Sequence, residues 1–178
     1  MKLHPDYIAD RLKYVFGEDI HASRIVEREQ GVTRKVTQRV LHVTMARRVF
    51  HRALTLLKNE FAQPHISCPM ASKEYDEGME LIYPFTLFSG EGEFNEIPVV
   101  ITVFIPYKDL RIRTVSDVVP GILYMERETR EMLGVMFEDT PDDRRLFTPL
   151  SLPRDMHPMR NGFIDPAIKN NAGKEGVK

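Results

Sequence analysis

The sequence predicts an α+β fold: a mixed or antiparallel sheet with helices on one face, followed by a further helix and an extended C-terminal arm. Three observations carry this. A helix-period segment, a β-prone hairpin and a second helix-period segment precede a series of strand-like runs. Residues 97–105 (IPVVITVFI) are the most hydrophobic segment and have the composition of a central strand. From Leu146 the chain is punctuated by Pro149, Pro153 and Pro158, yet it is too apolar to float free in water.

Each element has its own signal. Over 5–16, Ile8, Leu12, Val15 and Phe16 recur at helical spacing, with Pro5 in the first turn and Gly17 at the end. Residues 22–29 and 34–45 are β-prone around Gly31 and predict a hairpin. Over 46–62, Val49, Phe50, Ala53, Leu54, Leu57 and Phe61 form one apolar stripe, with Arg47, Arg48, Arg52 and Lys58 mostly off it. Residues 65–74 and 79–89 are β-prone around a turn at 76–78. The acidic loop 90–96 lacks the Gly-Lys-Ser/Thr ending of a phosphate loop. Pro98 stands at the start of its strand, where no ladder donor is needed.

Pro120 and Gly121 open a predicted helix over 121–133, with Ile122, Met125, Thr129 and Met132 on one face. Gly134 is placed to end it in the left-handed conformation. After the apolar Val135-Met136-Phe137, Thr140-Pro141-Asp142-Asp143 predicts a second helix start. The domain plan is an α+β domain over 1–113, a helix and loop packed on it over 114–145, an extended partner-binding arm over 146–164 and a flexible tail over 165–178.

Composition bounds the function. The chain has 178 residues, enough for one domain with extensions, and a net charge of −1. Residues 1–60 carry 12 basic and 7 acidic side chains, whereas 61–120 carry 4 and 9. The basic helix 46–58 makes a nucleic-acid-binding module the reading from a different class, although no RNP-type motif accompanies it. The single cysteine, Cys68, excludes a disulfide framework and points to a reducing compartment. One cysteine also falls short of the ~4 that an iron–sulfur cluster takes. The six histidines show no zinc spacing. The N-terminus does not read as a signal peptide. The longest apolar run, 97–107, is far short of the ~20 residues of a membrane helix.

Charge concentrates in 115–160, where every basic residue is Arg. Glu126, Glu128 and Glu131 are candidates for acid/base work, and Asp142-Asp143 for a divalent cation. Each glutamate, however, has an Arg within one turn. Pairs Glu126–Arg130 and Arg127–Glu131 are spaced i,i+4, which favours the ionised forms. The stretch therefore reads as a rigid charged clamp rather than as an active site.

One family shares this pattern. Glu126-Arg127-Glu128-x-x-Glu131-Met132-Leu133-Gly134-Val135-x-Phe137, then Pro141-Asp142-x-Arg144-Arg145-Leu146, resembles the signature of the 30 kDa subunit of NADH-quinone oxidoreductase (respiratory complex I). Val119-Pro120-Gly121 and His157-Pro158-Met159-Arg160 match flanking motifs of the same family, and Tyr124 keeps its aromatic before the signature. Thr140 departs from the usual His or Lys. The compact chain looks like the version found in membrane-bound, energy-converting [NiFe] hydrogenases.

The resemblance implies a non-catalytic peripheral-arm subunit on the cytoplasmic side of the membrane. It implies contacts with a hydrogenase-like large subunit and an iron–sulfur small subunit, and with the membrane arm only indirectly. It implies no cofactor in this chain, no nucleic acid and no small-molecule substrate. The iron–sulfur clusters, and a NiFe centre where there is one, belong to the partners. The complex would take electrons from ferredoxin and couple their transfer to ion translocation. The signature residues, together with His157, Pro158 and Arg160, are then candidates for the partner interface.

Overall fold

Two long strands form the centre of the molecule: β5 (Gly78–Phe88) and β6 (Glu96–Pro106). They pair antiparallel from Gly78 opposite Pro106 to Phe88 opposite Glu96. Alternation sends Ile97, Val99, Ile101, Val103 and Ile105 of β6 to one face, beside Met79, Leu81, Tyr83, Phe85 and Leu87 of β5. All ten are buried. The computed structural model describes residues 4–31, 35–68, 70–88 and 96–161; the predicted tail and most of the acidic loop lie outside them.

The hairpin forms as the sequence predicts, from β1 (Ile20–Gln30) and β2 (Val36–Met45), with a register shift between Ile20 and Ala22. β2 then lies parallel to β6, Leu41 opposite Val99 through Met45 opposite Val103. The predicted run 65–74 is two short strands, β3 (Pro64–Ile66) and β4 (Ala71–Glu74), which pair in turn with the far edge of β5. The result is a mixed six-stranded sheet in an α+β fold.

Helices α1 (Pro5–Phe16) and α2 (Arg47–Glu60) cover the apolar face. Ile8 and Leu12 of α1 are fully buried, as are Ala53, Leu54 and Leu57 of α2. The Phe50 ring lies 4.4 Å from that of Tyr83, centroid to centroid. Arg11 joins the helices by two 2.7 Å bonds to the Glu60 carboxylate. The basic face of α2 is largely engaged. Arg47 donates to the Asp109 and Arg111 carbonyls at 2.7 and 2.8 Å, Arg48 reaches Asp19 at 2.8 Å, and the Arg52 guanidinium lies 5.6 Å from the Phe16 ring centroid.

A second, smaller unit follows: β7 (Arg111–Arg113), α3 (Leu123–Leu133) and β8 (Met136–Glu138). The two strands pair in parallel and bring Ile112 opposite Phe137, both buried. A 3-10 turn at Pro120–Ile122 leads into α3.

Two expectations need correction. No helix begins at Thr140. Asp139 takes φ +61°, and Asp142 accepts the Arg144 backbone N–H at 3.1 Å and its Nε at 2.9 Å. An aspartate that closes a turn on its own backbone competes with helix formation. The arm is also not a continuous extended chain. Over 149–160 it is a run of turns, with Leu152 N–H donating to Pro149 O, Met156 N–H to Pro153 O and Arg160 N–H to His157 O. Pro158 stands second in its turn, where its fixed φ presets the bend, whereas Pro149 and Pro153 open theirs with the accepting carbonyl.

The core carries a direct expectation. Leu57→Ala removes a fully buried side chain between helix and sheet and should cost ~2–5 kcal/mol in urea unfolding of the isolated chain. A loss below about 1 kcal/mol would contradict this packing.

Candidate functional site

Helix α3 holds most of the signature, and its charged residues reach outward to other segments instead of along the helix. Glu126, on the sheet side, is 1% exposed. Its carboxylate accepts from the Thr114 hydroxyl and, at 2.9 Å, from the Val115 backbone N–H. Burial outweighs these bonds and, aided by the charge of Asp117, pushes Glu126 up to about 7. The hydroxyl of Tyr83 is also fully buried and has no hydrogen-bond partner among the described residues.

Arg127 turns the other way and is nearly enclosed. It donates Nε and Nη2 to the Arg144 carbonyl at 3.0 and 2.9 Å, and its Nη1 lies 3.1 Å from Asp142. Hydrogen bonds from Arg144, with the charge of Arg127 behind them, hold the Asp142 carboxyl far below the usual range. Arg130 faces Asp143 at 3.5 Å. The expected pairs Glu126–Arg130 and Arg127–Glu131 are therefore replaced by contacts across the fold. Glu128 is half-buried and makes no hydrogen bond or ion pair among the described residues.

Glu131 binds the arm. Its carboxylate accepts the backbone N–H groups of Leu146, Phe147 and Thr148, the last two at 2.9 and 2.8 Å, and the Thr148 hydroxyl at 2.9 Å. Burial works to raise its pKa; these donors outweigh burial and lower it. The end of α3 is closed by the same arm. His157 donates Nδ1–H to the Glu131 carbonyl at 3.0 Å, and Met159 N–H donates to the Met132 carbonyl at 3.0 Å. These are carbonyls a helix end leaves without partners.

Gly134 takes φ +79°, the predicted left-handed cap. A Cβ there would sit 2.5 Å from Nε2 of His157, so the glycine serves both the turn and the approach of the arm. Pro158 follows in the turn, half-buried. Arg160 lies farther along, 4.5 Å from the Tyr107 ring centroid and 3.3 Å from Glu74.

The predicted site residues thus divide. Arg127, Glu131, Gly134, Arg144, Arg145 and His157 line one cavity of about 280 Å³. Glu126 and Phe137 face the interior, Pro141 is exposed on a turn, and Arg160 anchors the chain at β4. Arg130 and Asp143, named in the sequence only as a helix pair partner and a cation candidate, share the cavity; sequence reasoning missed Arg154, which lines it too, and Glu74, which also accepts the Asn161 N–H at 2.7 Å. The all-Arg basic composition of 115–160 was the available signal for Arg130 and Arg154; Glu74 had none. Among the described residues, no group of three or more His, Cys, Asp or Glu is arranged to hold a metal, and Asp142 and Asp143 point to different arginines.

The family model of the respiratory-chain NADH dehydrogenase 30 kDa subunit matches residues 43–167. The chain belongs to this family. It is 29% identical over 131 residues to the membrane-bound hydrogenase subunit beta of Pyrococcus furiosus, covering 72% of this chain and 74% of that one. It is 29% identical over 87 residues to NADH-quinone oxidoreductase subunit 5 of Thermus thermophilus, where it spans only 41% of the longer relative.

The fold of this 30 kDa family member is shared with a chain in the structure of the membrane-bound sulfane sulfur reductase, an archaeal respiratory membrane complex. There the TM-score is 0.67 at 17% identity, covering 97% of this chain and 93% of that chain. A trypsin-resistant fragment of Nqo5 gives a TM-score of 0.54 at 18% identity, covering 78% of this chain and 99% of the fragment. Homologues are thus subunits of oxidoreductase complexes. Among the described residues no helix is long and apolar enough to cross a membrane.

Two outcomes follow from this geometry. Glu126 binds its proton more tightly folded than unfolded, so its contribution to stability is full below about 4.5 and lost as pH rises through about 7. Glu126→Gln should remove a slope of up to ~1.4 kcal/mol per pH unit across that window; equal slopes for both proteins would contradict the assignment. Glu131→Gln removes the charge that gathers the arm. Trypsin should then cleave after Arg144, Arg145 or Arg154 about tenfold faster, the loss of one charge-assisted hydrogen bond, with the melting temperature little changed. Unaltered cleavage would show that the arm is held elsewhere.

Proposed function

We propose that this chain is a peripheral-arm subunit of a membrane-bound, complex I-like oxidoreductase, with a structural and assembly role and no catalytic site or cofactor of its own. In this reading it contacts the hydrogenase-like large subunit and the iron–sulfur small subunit on the cytoplasmic side of the membrane. Electron transfer to the acceptor is carried by those partners and coupled to ion translocation in the membrane arm. The complex is a ferredoxin-dependent hydrogenase; a quinone- or sulfur-reducing relative is the alternative. The match over about three quarters of the Pyrococcus hydrogenase subunit favours the first.

One observation carries the subunit reading. Signature side chains fix the arm from behind, while Leu146, Phe147, Leu150 and Met159 stay exposed in front, Leu150 at 91%. Ordering backbone costs ~1–2 kcal/mol per residue. A chain that holds apolar residues in place without burying them is presenting them to a partner. Against the nucleic-acid reading, Arg47 and Arg48 of the basic helix are already paired within the protein.

Purification of the tagged chain from the membranes of its own cell tests the proposal. The expected result is co-elution with nickel- or iron-bearing subunits, with proton reduction by reduced ferredoxin, while the isolated chain binds no metal. Recovery of the chain only as a lone monomer, from membranes and cytosol alike, would overturn the reading.

A further inference from the structure

The cavity at the C-terminal end of α3 has an unusual charge balance. Five guanidiniums line it (Arg127, Arg130, Arg144, Arg145 and Arg154). Against them stand the lining carboxylates Glu131 and Asp143, with Asp142 behind, which leaves an excess of two positive charges over three negative. The arginines are not equivalent. Arg127 is spent on Asp142 and two carbonyls, Arg144 on Asp142, and Arg130 on Asp143. Glu131 is likewise occupied by the arm's own N–H groups.

Arg145 and Arg154 remain. Arg145 donates only Nη1, to the Pro149 and Leu152 carbonyls at 2.7 and 2.6 Å. These bonds hold the guanidinium in place, and its Nε–Nη2 edge has no partner among the described residues. Arg154 is exposed and makes no hydrogen bond or ion pair among the described residues. A held guanidinium with a free edge is preorganised for two parallel bonds to a carboxylate. Met136 is among the lining residues, and Leu146, Phe147 and Leu150 follow Arg145 in the chain; all four are exposed.

We propose that this cavity is a socket for an acidic, apolar-flanked segment of a partner subunit, one carboxylate entering between Arg145 and Arg154 while its neighbours cover the apolar rim. The proposal rests on the subunit reading above and adds the chemistry of the contact. Charge complementarity selects the occupant. A basic or neutral segment would leave the excess charge unpaired in a site that docking removes from water, whereas a carboxylate neutralises it.

The test uses the full chain in its complex. Arg154→Glu, Arg145→Glu/Arg154→Glu and Arg154→Lys are expressed in the source cell, and the amount of chain retained per iron–sulfur subunit is measured after washing. The double reversal should lower retention about tenfold, as expected for the loss of a desolvated charge pair. Arg154→Glu should lower it less, and Arg154→Lys least, because a point charge keeps attraction without the bidentate fit. Because Arg154 has no partner to lose among the described residues, the melting temperature of Arg154→Glu should not move.

Retention of both reversal variants at the wild-type level overturns the socket and leaves the subunit reading intact. If the wild-type chain itself retains no metal-bearing subunit, the subunit reading fails first. The isolated full chain then decides with a probe, the peptide acetyl-Leu-Glu-Asp-Leu-amide against its Leu-Lys-Lys-Leu counterpart. Preference for the acidic peptide, lost in Arg154→Glu, supports the socket; no preference overturns it. Displacement of the acidic peptide by an equal concentration of inorganic phosphate also overturns it, since the site would then be a general anion site.

Discussion

The last part of the chain is gripped at its start by one carboxylate of α3, and at its far end by Glu74 of the sheet. Glu131 gathers three consecutive backbone N–H groups, those of Leu146, Phe147 and Thr148, together with the Thr148 hydroxyl. Three successive donors aimed at one point exist only if the backbone there is curled around the acceptor. The bend that starts the arm and the ionised state of Glu131 are therefore one feature. The His157 and Met159 contacts that close the end of α3 follow that bend. A hydrogen bond to a charged group contributes ~1.5–3 kcal/mol, about twice the neutral kind. That is enough to hold a segment with little apolar burial of its own.

Glu126 works at the other end of the same helix by the opposite physics. It is buried among apolar groups, and its few donors do not offset the loss of solvation. It ties α3 to the 114–116 segment at a position where an apolar residue would pack without that cost. The Tyr83 hydroxyl, without a hydrogen-bond partner among the described residues and with its pKa raised first by burial and then by the charge of Glu126, belongs to the same region. Two polar groups are thus kept in the core just behind the face that carries the arm. One glutamate of the signature is pushed toward its ionised form and the other toward its neutral form, though they lie five residues apart. Sequence spacing alone gives them equal standing; only their surroundings separate them.

What was legible in the chain was its local periodicity. Pro5–Phe16 and Arg47–Glu60 match the predicted helices closely, because apolar stripes at helical spacing have one way to be buried. Gly134 was legible because a left-handed cap admits few other residues. The parallel pairing of β2 with β6 was not, since it joins residues more than fifty positions apart across an intervening helix and three strands. Nor were the arginine partners. The i,i+4 rule describes an isolated helix in water, where the neighbouring side chain is the nearest opposite charge. In α3 the returning loop brings Asp142 and the Arg144 carbonyl closer to Arg127 than Glu131 is free to come. The same competition cancels the helix expected at Thr140, because Asp142 is committed to Arg144 and Arg127 before it could serve a helix N-terminus.

This changes what the signature means physically. Had the charges paired within α3, they would stabilise one exposed helix by a few tenths of a kcal/mol per pair. Most of its paired charges link α3 to something else: Glu126 to the 114–116 segment, Arg127 to the 142–145 loop, Glu131 to the arm. A signature built this way constrains the relative placement of segments far more than it constrains the helix. Its loss would leave a folded domain whose arm is no longer in register with its surface. Such a requirement is weak for a lone domain and strict for one whose arm must meet a rigid neighbour, because an interface tolerates displacement far less than a surface does. The density of charge that first suggests an active site is the same charge that sets the position of these segments.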